Sequence, residues 1–274
     1  MTHHSYQHQG FEVLQLPVLR DNYTYVVLPN DSDRAWVIDP ADASAVITCC
    51  TAHERSVSHV WNTHHHWDHT DGNEGLIRHY HCAVLAAASE QARIDGISHG
   101  LRDHEVVALD GLSVQVLAVP GHTDGHLAFV MDDAIFCGDV LFSAGCGRVF
   151  EGTMEQMWQS LQRLAALPVG HRVYCAHEYT LMNLDFACTV ADTLPDEDYR
   201  QRCHQRRDMV HQWRQEGRPS VPSTVADERA VNPFLQPLWR EFVVAYAIRW
   251  GCNPFAMDVF THLRAWRNRF VADQ

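Results

Sequence analysis

The stretch WNTHHHWDHTDGN, residues Trp61–Asn73, holds four histidines and two aspartates in thirteen positions. It continues "VSHVW", an apolar run that reads as a strand running into a loop. Strand alternation sends His64 and His66 to one side and His65 to the other. Two imidazoles two residues apart on one side can hold a single metal ion. Asp68 and His69 follow where a helix starts, and being adjacent they point past the first ion toward a second. Carboxylate with imidazole, and no thiolate, suits zinc, iron or manganese and argues against a purely structural zinc site.

A catalytic site needs further donors, and the chain supplies them at strand ends. In "LAVPGHTDGHLAF", Pro120 and Gly121 end a strand and place His122 on a loop, while His126 opens the next strand as a second donor or, preferably, as a support for one. In "AIFCGDVLF", Asp139 follows a buried apolar run, where a carboxylate is costly unless paired or metal-bound. In "HRVYCAHEYT", His177 again ends an apolar strand. Strand ends are where the active sites of layered α/β proteins gather.

Around these points the first two-thirds reads as strands with intervening helices. "FEVLQLPV" and "YTYVVLP" flank "LRDN" as a hairpin. "RAWVIDP", "CAVLAAA", "HEVVALD", "LSVQVLAVP", "HLAFVMDD" and "HRVYCAH" are further strands, several of them apolar throughout, as strands covered on both faces are. "ADASAVITCCTAHE" and Met154 to Leu167 have helical spacing. Beyond His177 the pattern changes: "EDYRQRCHQRRDMVHQWRQEG" is a polar amphipathic helix, Gly217 to Pro222 a linker, and the last forty residues helical. This is an α/β domain followed by a smaller helical one.

THHHWDH, GHTDGH, GD and CAHEYT, in that order, resemble the metallo-β-lactamase superfamily, whose signature is THxHxDH. FSAGCGRVFEGT, HEYTLMNLDFA, VNPFL and the basic LRAWRNRF are similar to glyoxalase II, the hydroxyacylglutathione hydrolase branch. The likeness runs from about Phe11 to Phe270 and is weakest around Glu197 to Glu228. It implies an αββα sandwich over residues 1–178 and a helical substrate-binding domain over 179–274. It implies that His64, His66 and His122 bind one divalent metal, that Asp68, His69 and His177 bind another, and that Asp139 bridges them. Zinc is the first expectation, iron or manganese the alternatives. It further implies cleavage of S-D-lactoylglutathione by a hydroxide held between the two metals, aimed by Asp68 as a catalytic residue. Arg148, Phe150, Tyr179, Arg264 and Arg267 take the positions that bind glutathione. Lysine is commoner in the family at Arg148 and frequent at Arg267, and tyrosine is commoner at Phe150. Without the resemblance, Arg264 and Arg267, three apart on a helix, would read as a solvated face.

Composition narrows the classes. With 274 residues, 34 acidic against 21 basic side chains and a formal charge of −13, the surface repels polyphosphate, so neither nucleic-acid binding nor nucleic-acid cleavage is expected. No apolar run is long enough for a bilayer. "MTHHSYQHQG" lacks the apolar segment of a secretory signal and reads as a frayed polar start. Nine scattered cysteines, none in a CxxC pair, read as buried reduced thiols. A cytoplasmic monomer acting on a small glutathione thioester is the expectation. Two alternatives are a persulfide dioxygenase of the same superfamily, which usually lacks the long helical C-terminal part, and a non-catalytic metal-binding protein, against which the full set of seven candidate ligands speaks.

Overall fold

Short turns join the early strands of the chain and helices join the later ones, and this sets their pairing. The computed structural model describes residues 3–271. The larger sheet runs in chain order through His4–His8, Phe11–Val18, Asn22–Pro29, Arg34–Ile38, Ser56–Trp61, Ala83–Ala87 and Ile97–Leu101. Its first four strands are antiparallel. From Arg34–Ile38 onward they are parallel, with helices Ala43–Ala52 and Asn73–Tyr80 carrying two of the crossovers. The second sheet orders Ser223–Thr224, Arg172–Cys175, Ala134–Gly138, Leu127–Met131, Leu112–Ala118 and Val106–Leu109.

The two sheets share a core. Trp36, Ile38 and Trp61 of the first meet Val116, Phe129 and Phe136 of the second in one buried cluster, with Trp61 and Phe129 edge to face at 5.2 Å. Alternate residues of the first sheet, Val26, Leu28, Val37 and Val60, face outward against Ala45, Val46, Cys50 and Leu76 of the two helices. Every residue of Leu127–Met131 and Ala134–Gly138 is buried, so the second sheet is also covered on both faces. Met157, Leu161 and Leu164 of helix Met154–Ala165 belong to the same cluster. The architecture is the expected αββα sandwich.

The N-terminus differs from its reading as a frayed start. His4–His8 is an edge strand paired with Phe11–Gln15. Polar residues hide its period of two: Tyr6 bonds the Val221 carbonyl at 3.1 Å, and His8 stacks on Phe11 at 4.7 Å and bonds the Tyr174 hydroxyl at 2.7 Å. Met1 and Thr2 lie outside the described residues.

Helices Thr180–Asp192, Glu197–Gln215, Val225–Val231, Arg240–Trp250 and Ala256–Arg269 form the C-terminal part. Phe186, Phe234 and Phe260 extend the sandwich core into it. Polar pins fix the junction. Glu178 accepts from the Tyr23 hydroxyl at 2.7 Å and the Ser220 amide at 2.9 Å. Asn232, in VNPFL, donates to the Gly145 carbonyl at 2.9 Å, and Glu228 accepts from the Ala144 amide at 2.8 Å.

At one edge the sheets are stitched together by backbone. Tyr23 donates to the Ala176 carbonyl at 2.7 Å, Asn22 bridges His177, and Leu127 donates to the Thr63 carbonyl at 2.8 Å. The loops that follow the strands are thereby gathered at that edge. Phe136→Ala, which removes a ring packed on Tyr25 and Tyr174, is expected to lower stability by about 3–5 kcal/mol in urea unfolding.

Candidate metal centre and adjoining cavity

Five strand-end or loop positions deliver the candidate ligands to this edge. His64 and His66 follow Ser56–Trp61, and Asp68 and His69 sit in the short helix Trp67–Thr70. His122 follows Leu112–Ala118, Asp139 follows Ala134–Gly138 and His177 follows Arg172–Cys175. Gly138 makes the turn into Asp139 at φ +49°, and a Cβ there would lie 2.4 Å from the Thr63 hydroxyl. Only glycine fits that corner.

All seven converge. His66 Nδ1 lies 2.9 Å from His64 Nε2 and 3.1 Å from His122 Nε2. Asp139 Oδ2 is 3.4 Å from His122 Nε2, while its Oδ1 is 3.4 Å from both His69 Nε2 and His177 Nε2. Asp68 Oδ2 is 3.5 Å from His177 Nε2 and 3.7 Å from His69 Nε2. Asp139 therefore joins a three-histidine group to a group of one carboxylate and two histidines. His65 turns away, its Nδ1 2.9 Å from Glu90.

In four of the five clustered histidines the other ring nitrogen is already engaged, which fixes where the free lone pair points. His69 Nδ1 donates to Asp39 at 3.0 Å, His177 Nδ1 to Asp21 at 2.9 Å, and His122 Nδ1 to the Arg148 carbonyl at 2.8 Å. His64 Nδ1 donates to Thr63 Oγ1 at 3.0 Å, which donates on to Asp39 at 2.7 Å. Asn22 donates to Asp68 Oδ2 at 2.9 Å. His126 is a support: its Nε2 accepts from the Asp139 amide at 3.2 Å and its ring stacks on His64 at 4.6 Å.

The residues fit a metal. His69 Nε2 and Asp139 Oδ1 are buried without a hydrogen-bond partner, and one proton on His66 Nδ1 cannot serve both nitrogens facing it. A cation satisfies such a convergence of acceptors. The charges agree. Burial, then the neighbouring imidazoles, hold His64 well below its ordinary pKa, and burial and His122 bring His66 down to about 4. Burial opposes charge on His177, yet Asp139, Asp21 and Asp68 lift it to about 9. Burial likewise opposes charge on Asp139, but His177 and His69 hold its carboxyl well below the usual range.

The centre opens into a cavity of about 460 Å³. Phe142, Arg148, Phe150, Tyr179, Asn183, Arg264 and Arg267 line it with His122 and Asp139. Tyr179 stacks flat on His177 at 4.8 Å, and Phe150, 61% exposed, sets its ring edge against His122 at 5.2 Å. Arg264 is no solvated helix residue: it is 3% exposed, donates to the Cys146 carbonyl at 2.7 Å and lies over the Phe234 ring. Arg267 is half-buried and donates to Asn183 at 3.3 Å. Burial, then Arg264 and Arg148, depress the pKa of Arg267. Among the described residues none of these three arginines forms a salt bridge. The wall is a net positive, anion-accepting surface in an acidic protein.

Comparison with known proteins now decides the family. The family model of the metallo-beta-lactamase superfamily matches residues 18–177, and that of the hydroxyacylglutathione hydrolase C-terminus matches residues 178–270. The hydroxyacylglutathione hydrolase of Aliivibrio fischeri is 41% identical over 258 residues, 94% of this chain and 99% of that protein. That of Methylococcus capsulatus is 46% identical over 228 residues, 82% of this chain and 87% of that protein. The chain belongs to the hydroxyacylglutathione hydrolase family. Among solved structures, ETHE1 from Myxococcus xanthus superposes with a TM-score of 0.61 at 23% identity, over 97% of this chain and 98% of that one. At that identity the likeness concerns the fold.

For a member of the hydroxyacylglutathione hydrolase family, the sequence reading missed the supports. Asp39 was legible only as a strand end and Asp21 and Asn22 only as turn residues. The one available signal was a carboxylate, Asp39, closing the apolar run "RAWVI". Asn183 lies one helical turn beyond Tyr179, a spacing that puts it on the same face. Asp39→Ala frees both Thr63 and His69, and is expected to weaken metal affinity about 10–100-fold in chelator competition, while His65→Ala leaves it unchanged.

Proposed function

We propose that this chain hydrolyses S-D-lactoylglutathione to D-lactate and glutathione, the second step of methylglyoxal removal, at a dinuclear metal centre. One observation carries the reading: a carboxylate-linked cluster of imidazoles opens directly onto a cavity walled by three arginines that form no salt bridge among the described residues. The first half suits metal-assisted hydrolysis, and the second suits the two carboxylates of glutathione.

In this reading His64, His66 and His122 hold one ion, Asp68, His69 and His177 the other, and Asp139 both. Zinc is the first choice, with iron and manganese accommodated by the same nitrogen and oxygen donors. Divalent metal bound there supplies Lewis acidity toward the thioester carbonyl and lowers the pKa of water toward neutrality. Asp68, with Oδ2 held by Asn22, accepts a hydrogen bond from the attacking water and aims it. Arg148, Arg267 and Tyr179 bind the glutathione moiety, and Arg264 fixes the backbone around Cys146 and Gly147 on which Arg148 is mounted. Arginine at 148 and 267 offers a forked donor pair for carboxylate where lysine offers a point charge. Phe150 keeps the apolar contact against His122 and lacks a tyrosine's hydroxyl. The glutathione sulfur leaves as a thiolate, which requires no acid from the protein.

Residues 1–178 form the catalytic domain and 179–274 the substrate-binding domain in this scheme. Among the described residues no helix is long and apolar enough to cross a membrane. All nine cysteines are free, which supports a reducing cytoplasm, and the charge of −13 speaks against nucleic-acid partners. A monomer is sufficient, because one chain supplies both the cluster and the cavity.

Purified protein of known metal content should release thiol from S-D-lactoylglutathione without consuming oxygen. Oxygen uptake with glutathione persulfide and no thioester hydrolysis would overturn the reading. His69→Ala should abolish most hydrolysis and lower the metal content from two toward one per chain. Arg267→Ala should raise KM about 10-fold or more through loss of a charge-assisted contact, with kcat much less affected, in steady-state kinetics.

A further inference from the structure

A second cluster of metal-ligating side chains lies away from this centre. Helix Ala43–Ala52 begins just beyond Asp39 and ends at His53, its cap. Its ten residues carry the chain roughly 15 Å away from the catalytic edge. Cys49 and His53 stand four apart at the far end, a spacing that places both on one face. The chain preceding the edge strand His4–His8 brings His3 to the same point: its Nε2 lies 3.3 Å from His53 Nε2, with the rings 5.0 Å apart. One ring nitrogen of each histidine and Cys49 Sγ all lie within 4.8 Å of one another.

We propose that His3, Cys49 and His53 form a peripheral metal site for a borderline-soft divalent cation such as zinc. Two imidazoles and a thiolate make up three corners of the tetrahedron that zinc and cobalt(II) adopt, and water can take the fourth. One proton shared between two facing nitrogens leaves the sulfur unused; a metal engages all three donors. The site discriminates by donor softness, accepting zinc, cobalt or copper ahead of magnesium or calcium. Burial, followed by His53, lowers the proton affinity of His3, which favours the neutral ring that binds metal. Burial raises the Cys49 thiol, so the incoming ion must displace its proton and binding strengthens as pH rises. An ion held here ties the first strand to the end of the helix.

The hydrolytic cluster contains no cysteine, which gives the peripheral site its own spectroscopic signature. Cobalt(II) titrated into the untagged chain, its catalytic cluster already filled with metal, should produce a near-ultraviolet thiolate-to-cobalt charge-transfer band saturating at one further equivalent. The band should strengthen from about pH 6 to about pH 8. It should vanish in Cys49→Ser, and His53→Gln, which keeps the thiol, should weaken cobalt binding about 10-fold or more. Thioester hydrolysis should be unchanged in both variants. Absence of a thiolate band, its survival in Cys49→Ser, or an undiminished affinity in His53→Gln would each overturn the assignment. Because His53→Gln leaves the buried cysteine in place, it decides the matter even if Cys49→Ser fails to fold.

Discussion

A carboxylate buried at the meeting edge of two sheets, Asp139, governs this structure. Its Oδ1 is sealed from water without a hydrogen-bond partner, 3.4 Å from the imidazoles of His69 and His177, while His122 stands 3.4 Å from Oδ2. An unpaired charge in such a place is costly, and the surrounding fold offsets that cost with directed groups. The glycine before it makes the turn, the His126 ring accepts its amide, and backbone bonds between the sheets hold the flanking loops. A sandwich without that edge would leave the same residues dispersed over separate loops.

Around it runs an outer layer in which few groups serve a single purpose. Asp39 takes the Thr63 amide and hydroxyl and the His69 ring, so one carboxylate orients ligands of both groups. Asp21 and Asn22, from the hairpin turn, hold His177 and Asp68. The antiparallel half of the first sheet thus supplies orientation to ligands carried by other strands. The orientation of the cluster thus comes from the paired sheets as well as from the histidine-rich loop.

The C-terminal helices complete the active region by holding the loop at residues 142–148. Asn232 and Glu228 pin Phe142 to Gly145, and Arg264 grips Cys146. This couples the arginine-lined wall to the histidine and aspartate cluster through a short piece of backbone, since the Arg148 carbonyl also orients His122. In the proposed function this links substrate recognition mechanically to ligand geometry.

Donor types, their spacing and their places at strand ends are legible from the chain. Those features are local: apolar runs announce strands, glycine and proline announce their ends, and a histidine or aspartate at that point has few inexpensive roles. The edge strand His4–His8 escaped because its inward residues are polar or amphipathic, which masks a period of two. Tertiary structure alone decided the supports and the cavity. Asp21 meets His177 across 156 residues and Arg264 meets Cys146 across 118, and no local pattern encodes such pairings. Arg264 shows the difference most plainly: helix spacing makes it a surface charge, and only the packing of helix against loop buries it. Histidines 64 and 66 could be read from thirteen residues; what holds them in place could not, because hydrogen bonds between distant strands depend on how the sheets close.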